Sequence, residues 1–277
     1  MNKRDKIRRI GFVLLKTVGF YAGWAIGIAA TSSAFGITHP PTWRLLAEAG
    51  PLAAIVLVTY LFWQLIEKRR LDLPFSRNWP RDALIGTAVG AAWVGGVVAL
   101  LAVFGWFTVA GRNAVSYAPV WLLALLLNTI MQEMLVRGYI FSLIEREYNP
   151  IAASVATSVL FTLFHAGAFE AGAVAVTNVF TMSLFMSALR IRFGGLLIPV
   201  LAHFIWNGAG GILMNGVQLA SDYPSMFDIA LMGPTLFSGG LYKLEGGLFV
   251  ALLNAAGILL FTLTLTRNAG SAQTRKS

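Results

Sequence analysis

Glu133, His165, His203 and Asn207 are the residues of this chain whose types could do chemistry together, and all four lie in stretches that are otherwise apolar. A carboxylate can take a proton from water, an imidazole can take one or return one, and an amide can donate to an oxyanion. The same carboxylate and imidazoles (Glu133, His165, His203) could instead hold a divalent metal whose open position activates water. Either chemistry is hydrolytic. Glu133 and Arg137 are four residues apart with the acid first, which puts them on one helical face and lets them neutralise each other. Phe161 with His165, and His203 with Asn207, repeat that spacing, so each pair projects from its helix in one direction. Each pair also has a structural reading, as an ion pair or as hydrogen-bonding groups between helices. The conjunction favours a site, because two of the three histidines in the chain fall inside apolar spans.

The elements that position these residues follow from composition. Of 277 residues, 57% are hydrophobic and 12% charged, which places the chain among membrane proteins. Apolar segments near the spanning length of about 20 residues read at roughly 10–30, 47–66, 83–109, 118–144, 150–169, 173–190, 194–213 and 245–266. The expected fold is therefore all-α, one multi-pass membrane domain over 1–277 with about eight transmembrane helices in one bundle. The first span follows "MNKRDKIRR" but is longer than the apolar run of a signal peptide, so it reads as a retained helix.

Charge sets orientation. Lys3, Arg4, Lys6, Arg8 and Arg9 precede the first span, and Lys68, Arg69, Arg70, Arg77 and Arg81 follow the second. Arg146, Arg190, Arg192, Arg267, Arg275 and Lys276 fall on the same side, whereas the opposite loops hold only Arg44, Arg112 and Lys243. The positive-inside rule then puts both termini in the cytoplasm and requires an even number of spans in the cell membrane. The net charge of +9 sits in these clusters, which fits a membrane rim in contact with lipid rather than a nucleic-acid surface. No cysteine is present, which excludes thiolate chemistry and Cys-ligated metals.

Depth brings the polar residues to similar levels. At about 1.5 Å per residue, Glu133 lies about 20 Å above the cytoplasmic end of its helix, His165 about 22 Å, His203 about 14 Å and Asn207 about 20 Å. Lys16 is expected to snorkel to the cytoplasmic headgroups. The loop 67–82, with Trp79, suits the inner headgroup region. The stretch 215–244 reads as a re-entrant or surface-lying lid, or as an inert connection. Small residues are dense at 86–96 and 203–211, where close helix packing accounts for most of the glycines.

Three stretches, "QEMLVRGYIF" (132–141), "FTLFH" (161–165) and "HFIWN" (203–207), resemble in order and spacing the motifs of the CAAX-protease and bacteriocin-processing (CPBP, or Abi) intramembrane proteases, relatives of the Ras-converting enzyme. The resemblance covers about 118–213, which would be the catalytic core. It implies an eight-helix membrane endopeptidase acting on a peptide or protein substrate. By the same likeness His165 would help hold or activate the water, as a base or as a metal ligand. His203 with Asn207 would stabilise the tetrahedral intermediate or complete coordination, and Arg137 would orient the acidic motif. The resemblance leaves open both a Zn2+ mechanism and a metal-free glutamate mechanism.

One position departs from that pattern. Gln132 stands where the family usually carries its first glutamate, the acid commonly given the water-activating role, and an amide cannot accept that proton. Either Glu133 does the work, or activity has been lost, or the position was altered to disable the site; the reading favours Glu133. The leading expectation is an endopeptidase cutting a membrane-associated, prenylated or leader-peptide substrate. A catalytically inactive immunity or scaffold protein of the same fold, and a small-molecule transporter titrating Glu133, are the alternatives. The His-Glu-x-x-His, Gly-x-Ser-x-Gly and Gly-x-Gly-Asp motifs of other proteases are absent.

Overall fold

The computed structural model describes residues 2–32, 36–68 and 75–273. Arg69, Arg70, Arg275 and Lys276, counted above for orientation, lie outside the described residues. The chain is mostly helical, and five helical stretches are long and apolar enough to cross a membrane: Lys3–Thr31, Pro40–Ile66, Trp79–Val103, Ala118–Glu147 and Ala173–Phe193. Three shorter apolar helices, Pro150–Leu163, Leu197–Leu213 and Leu248–Leu263, match the remaining expected spans in place but not in length.

Two compact units share the chain. The first takes the described residues up to 68 together with Ser116–Thr157. It contains α1 (Lys3–Ser32), α2 (Pro40–Leu61), α4 (Ala118–Arg137) and α5 (Tyr139–Glu147). Helix α2 ends in one wider, π-helical turn, Phe62–Ile66. Helices α1 and α2 meet through small residues: a Cβ on Gly27 would lie 2.7 Å from that of Ala54. The expected single helix over 118–144 is broken at Gly138, whose backbone (φ −79°, ψ −116°) leaves the helical region. A Cβ there would overlap the Met134 carbonyl, so only glycine fits. Turning the chain there aims Tyr139 at α1, where its ring stacks on Phe20 with centroids 5.0 Å apart.

Lys16 does not snorkel. It is buried and paired with Glu67, and Glu67 also receives hydrogen bonds from the Tyr139 hydroxyl (2.8 Å) and Arg146 (2.8 Å). Burial works to raise the Glu67 carboxyl, but the Lys16 and Tyr139 hydrogen bonds and the nearby Arg146 and Lys16 charges outweigh it and hold the group below its ordinary value.

The second unit takes Phe75–Val115 and the described residues from Ser158 onward. Helix α6 (Pro150–Leu163) is where the chain passes from the first unit to the second. In the second unit lie α3 (Trp79–Val103), α7 (Ala166–Ala171), α8 (Ala173–Phe193), α9 (Leu197–Asn207) and α11 (Leu248–Gln273). Asn78 caps α3 by accepting from the Arg81 N–H. A Cβ on Gly90 would lie 2.7 Å from the Ile205 Cβ and 2.8 Å from the Ala202 carbonyl, so α3 lies against α9 as the small-residue stretch predicted. Trp93 of α3 stacks on Trp206 of α9 with centroids 4.1 Å apart.

The third expected span stops at Val103, and the chain turns into β1 (Phe107–Arg112), which pairs antiparallel with β2 (Phe227–Leu231). The register shifts between Val109 and Gly111, the mark of a bulge. These strands depart from an all-α fold, and β2 lies inside the stretch expected to be a lid. That stretch is cross-linked by side-chain hydrogen bonds: Asp228 accepts from Asn113 and Asn215, and Lys243 donates to Asn215. It continues through α10 (Thr235–Ser238) and a 3-10 turn, Gly240–Gly246. Helix α11 begins at Leu248, so Glu245 precedes the last apolar helix rather than lying in it as the expected span 245–266 had it.

Candidate active site

In the first unit, Glu133 and Arg137 form an ion pair at 3.0 Å, and neither side chain is exposed. A buried carboxylate without a cation would cost several kcal/mol, so the four-residue spacing does the compensation that the sequence predicted. Gln132 belongs to a separate polar chain. Its Nε2 donates to Asn128 Oδ1 (2.7 Å), and Asn128 Nδ2 donates to Glu48 Oε2 (2.8 Å). Glu48 in turn pairs with Arg44 at 2.6 Å. The chain has one polarity. Glu48 can only accept, so Asn128 must turn its amide nitrogen there and its oxygen toward a donor, and glutamine is a donor where glutamate is not. Glu48 was missed because it stands near the start of its helix beside Arg44, where it reads as an interfacial residue.

In the second unit the imidazoles meet around one ring. Helix α6 stops at Leu163, two residues before His165, which has non-helical backbone (φ −102°, ψ 67°). The His165 N–H bonds the Thr162 carbonyl, three residues back, and so leaves the Phe161 carbonyl for the imidazole, whose Nδ1 lies 2.7 Å away. A carbonyl only accepts, so Nδ1 carries the proton and Nε2 is the basic nitrogen. The side chain thus caps the helix it follows. The Phe161 ring lies 4.2 Å from the His165 ring and 6.1 Å from that of His203, centroid to centroid. His203 and Asn207 are both buried on α9, one turn apart. Of the expected site residues the second unit therefore gathers Phe161, His165 and His203, with Asn207 on the same helix as His203.

Beside His165 is a cavity of about 300 Å³, lined among others by Phe164, Ala175, Gln218, Tyr242 and Glu245. Glu245 was not singled out from the sequence because only tertiary folding of the 215–244 stretch brings it there. Its Oε2 accepts from the Gln218 N–H (2.8 Å). The residue as a whole is partly exposed toward the cavity, but protein surrounds the carboxyl, and this burial pushes it up to about 7 against the pull of the Gln218 hydrogen bond.

Among the described residues, no three His, Asp or Glu side chains converge as a metal ion requires. The chemistry available from the observed geometry is that of protein groups: a basic imidazole nitrogen, a buried amide, and a carboxyl whose proton affinity burial raises.

These features define a class, a multi-pass helical membrane protein with acid, imidazole and amide groups in its apolar interior. Residues 114–209 match a family model described as Type II CAAX prenyl endopeptidase Rce1-like. That segment holds all three of the motifs whose likeness to the CPBP family was read from the sequence, so the match and the motifs agree on what this part of the chain is similar to. No curated protein and no solved structure matches the chain.

Proposed function

We propose that this protein is an intramembrane endopeptidase that hydrolyses a peptide bond of a membrane-associated substrate of the CAAX type. The observation that carries the reading is that the matched segment, 114–209, contains all three motifs, and that the second of them ends in an imidazole whose tautomer is set by a main-chain carbonyl. With Nδ1 protonated, His165 Nε2 takes the proton of an attacking water. His203 and Asn207 donate to the oxyanion of the tetrahedral intermediate. Glu133 is assigned the acidic role by its motif, with Arg137 as its ion-pair partner. Eight spans, with both termini on the cytoplasmic side of the cell membrane, complete the reading.

The test is cleavage of a farnesylated, internally quenched peptide by the purified chain in lipid nanodiscs. Wild type cleaves, and His165→Ala loses cleavage while its melting temperature stays within a few degrees. Undiminished turnover by that variant would remove the assigned role. Zinc analysis of the same sample, with activity measured before and after chelation, separates the metal-free reaction proposed here from a zinc-assisted one.

A further inference from the structure

Glu245 borders the same cavity as His165, and neither the three motifs nor the matched segment includes it. It is held there deliberately by the fold. Asn178 of α8, itself 3% exposed, donates to the Glu245 carbonyl (2.8 Å) and the Gly247 carbonyl (2.9 Å), pinning the chain on both sides. Asn254 of α11 donates to the Asn178 carbonyl (3.2 Å), and this ties the pin to a second helix. Glycine follows twice. A Cβ on Gly246 would lie 2.6 Å from the Gly239 carbonyl, so the turn has no room to relax.

The side chain is less occupied than its backbone. Gln218 N–H takes Oε2, and Oε1 has no protein donor among the described residues. Glu245 also borders a small pocket of about 20 Å³ with Trp93, Asn178 and Trp206. Trp206 stands between His203 and Asn207 in sequence on α9. Glu245 thus lines both the His165 cavity and a pocket against the helix that carries the other two site residues.

We propose that Glu245 is the general acid of this site, giving its proton to the leaving amine. The proposal depends on the peptidase reading above. Water adds its oxygen to the scissile carbonyl carbon and loses a proton to His165 Nε2. The C–N bond then breaks as the Glu245 carboxylic acid protonates the amine nitrogen. The proton held by His165 returns to Glu245 across the cavity, so one water is consumed and no electrons are transferred. The other titratable side chains lining the cavity are His165, at the α6 to α7 junction, and Tyr242, in the same turn as Glu245; α8 and residues 218–219 contribute none. A carboxyl displaced toward neutrality, as this one is, exists partly as the acid under working conditions.

The experiment compares two probes on full-length protein in nanodiscs: the quenched farnesylated peptide, and a 4-nitrophenyl ester of its acyl half, whose phenolate leaves without needing a proton. Glu245→Gln is expected to lose about 100-fold or more on the peptide and to stay within about threefold of wild type on the ester. His165→Ala loses both. A carboxylate that merely staples the loop would reduce both substrates alike, and that result, or no loss on either, overturns the role given to Glu245 while the His165 result leaves the peptidase reading intact. If His165→Ala turns over both probes normally, or wild type cleaves neither, the reading and the proposal fall together. Should Glu245→Gln not fold, Glu245→Asp, which keeps the acid on a shorter arm, must show the same asymmetry between probes.

Discussion

At the scale of single residues, Gln132 is the departure that most needs a physical account. Asn128 lies between Gln132 and Glu48 in a chain of donors running one way. A glutamate at 132 would turn a second carboxylate toward the Asn128 oxygen, and the amide could no longer serve both neighbours. We expect Gln132→Glu to lose about 1–3 kcal/mol of stability, the cost of leaving a buried polar atom unmatched, measured by thermal or denaturant unfolding. Adding Glu48→Gln supplies the missing donor and should recover part of that loss, so a double-mutant cycle should show favourable coupling between positions 48 and 132. Additive losses would remove the one-way chain as an explanation. Cleavage by Gln132→Glu bears on a separate question: activity no higher than wild type is expected if Glu133 suffices.

At the scale of elements, the placement of α9 depends on two absent side chains on α3. A Cβ on Gly86 would meet the Ile198 carbonyl and the Leu201 Cβ, both at 2.9 Å, and Gly90 is as tightly enclosed. Gly90→Val forces the helices apart and should cost about 1–3 kcal/mol or more. Because α9 carries His203 and Asn207, peptide cleavage should fall more steeply than the unfolding temperature, which parallel activity and melting measurements would reveal. Glu67 does comparable service in the first unit, joining α1, the end of α2 and α5. Its folded pKa lies below the ordinary 4.5, so its contribution is complete above that pH and is lost as pH falls through the lower folded value. The melting temperature of wild type should therefore exceed that of Glu67→Gln at pH 7, and the gap should close as the buffer is taken well below pH 4.5. A gap that persisted unchanged in acid would show that shape, not charge, accounts for it.

At the scale of the whole molecule, the absence of cysteine makes the orientation easy to test. Arg77→Cys should react with a membrane-impermeant maleimide only after sealed cells are opened, and Ser221→Cys should react without opening. What was legible beforehand follows from the kind of signal each feature leaves. Long apolar runs and the four-residue spacing of Glu133 and Arg137 are local, so the helices and that ion pair could be read directly. Gly138 was visible only as part of a motif, since a break inside an apolar run leaves hydropathy unchanged. The end of α6 before His165, the β1 and β2 pairing, and the arrival of Glu245 beside His165 all depend on partners far away in the chain. Helical periodicity carries no information about such partners.

Both compact units are assembled from separated lengths of chain. The ribosome has already released α3 and β1, which belong to the second unit, before α4 and α5 of the first have been made. Neither unit can mature in simple order of synthesis. Nascent segments must wait in the bilayer for later partners, and α3, with its glycine face uncovered until α9 emerges, waits through more than ninety residues of translation. Truncated chains ending before α9 should accordingly be prime substrates for membrane quality control, however hydrophobic they are.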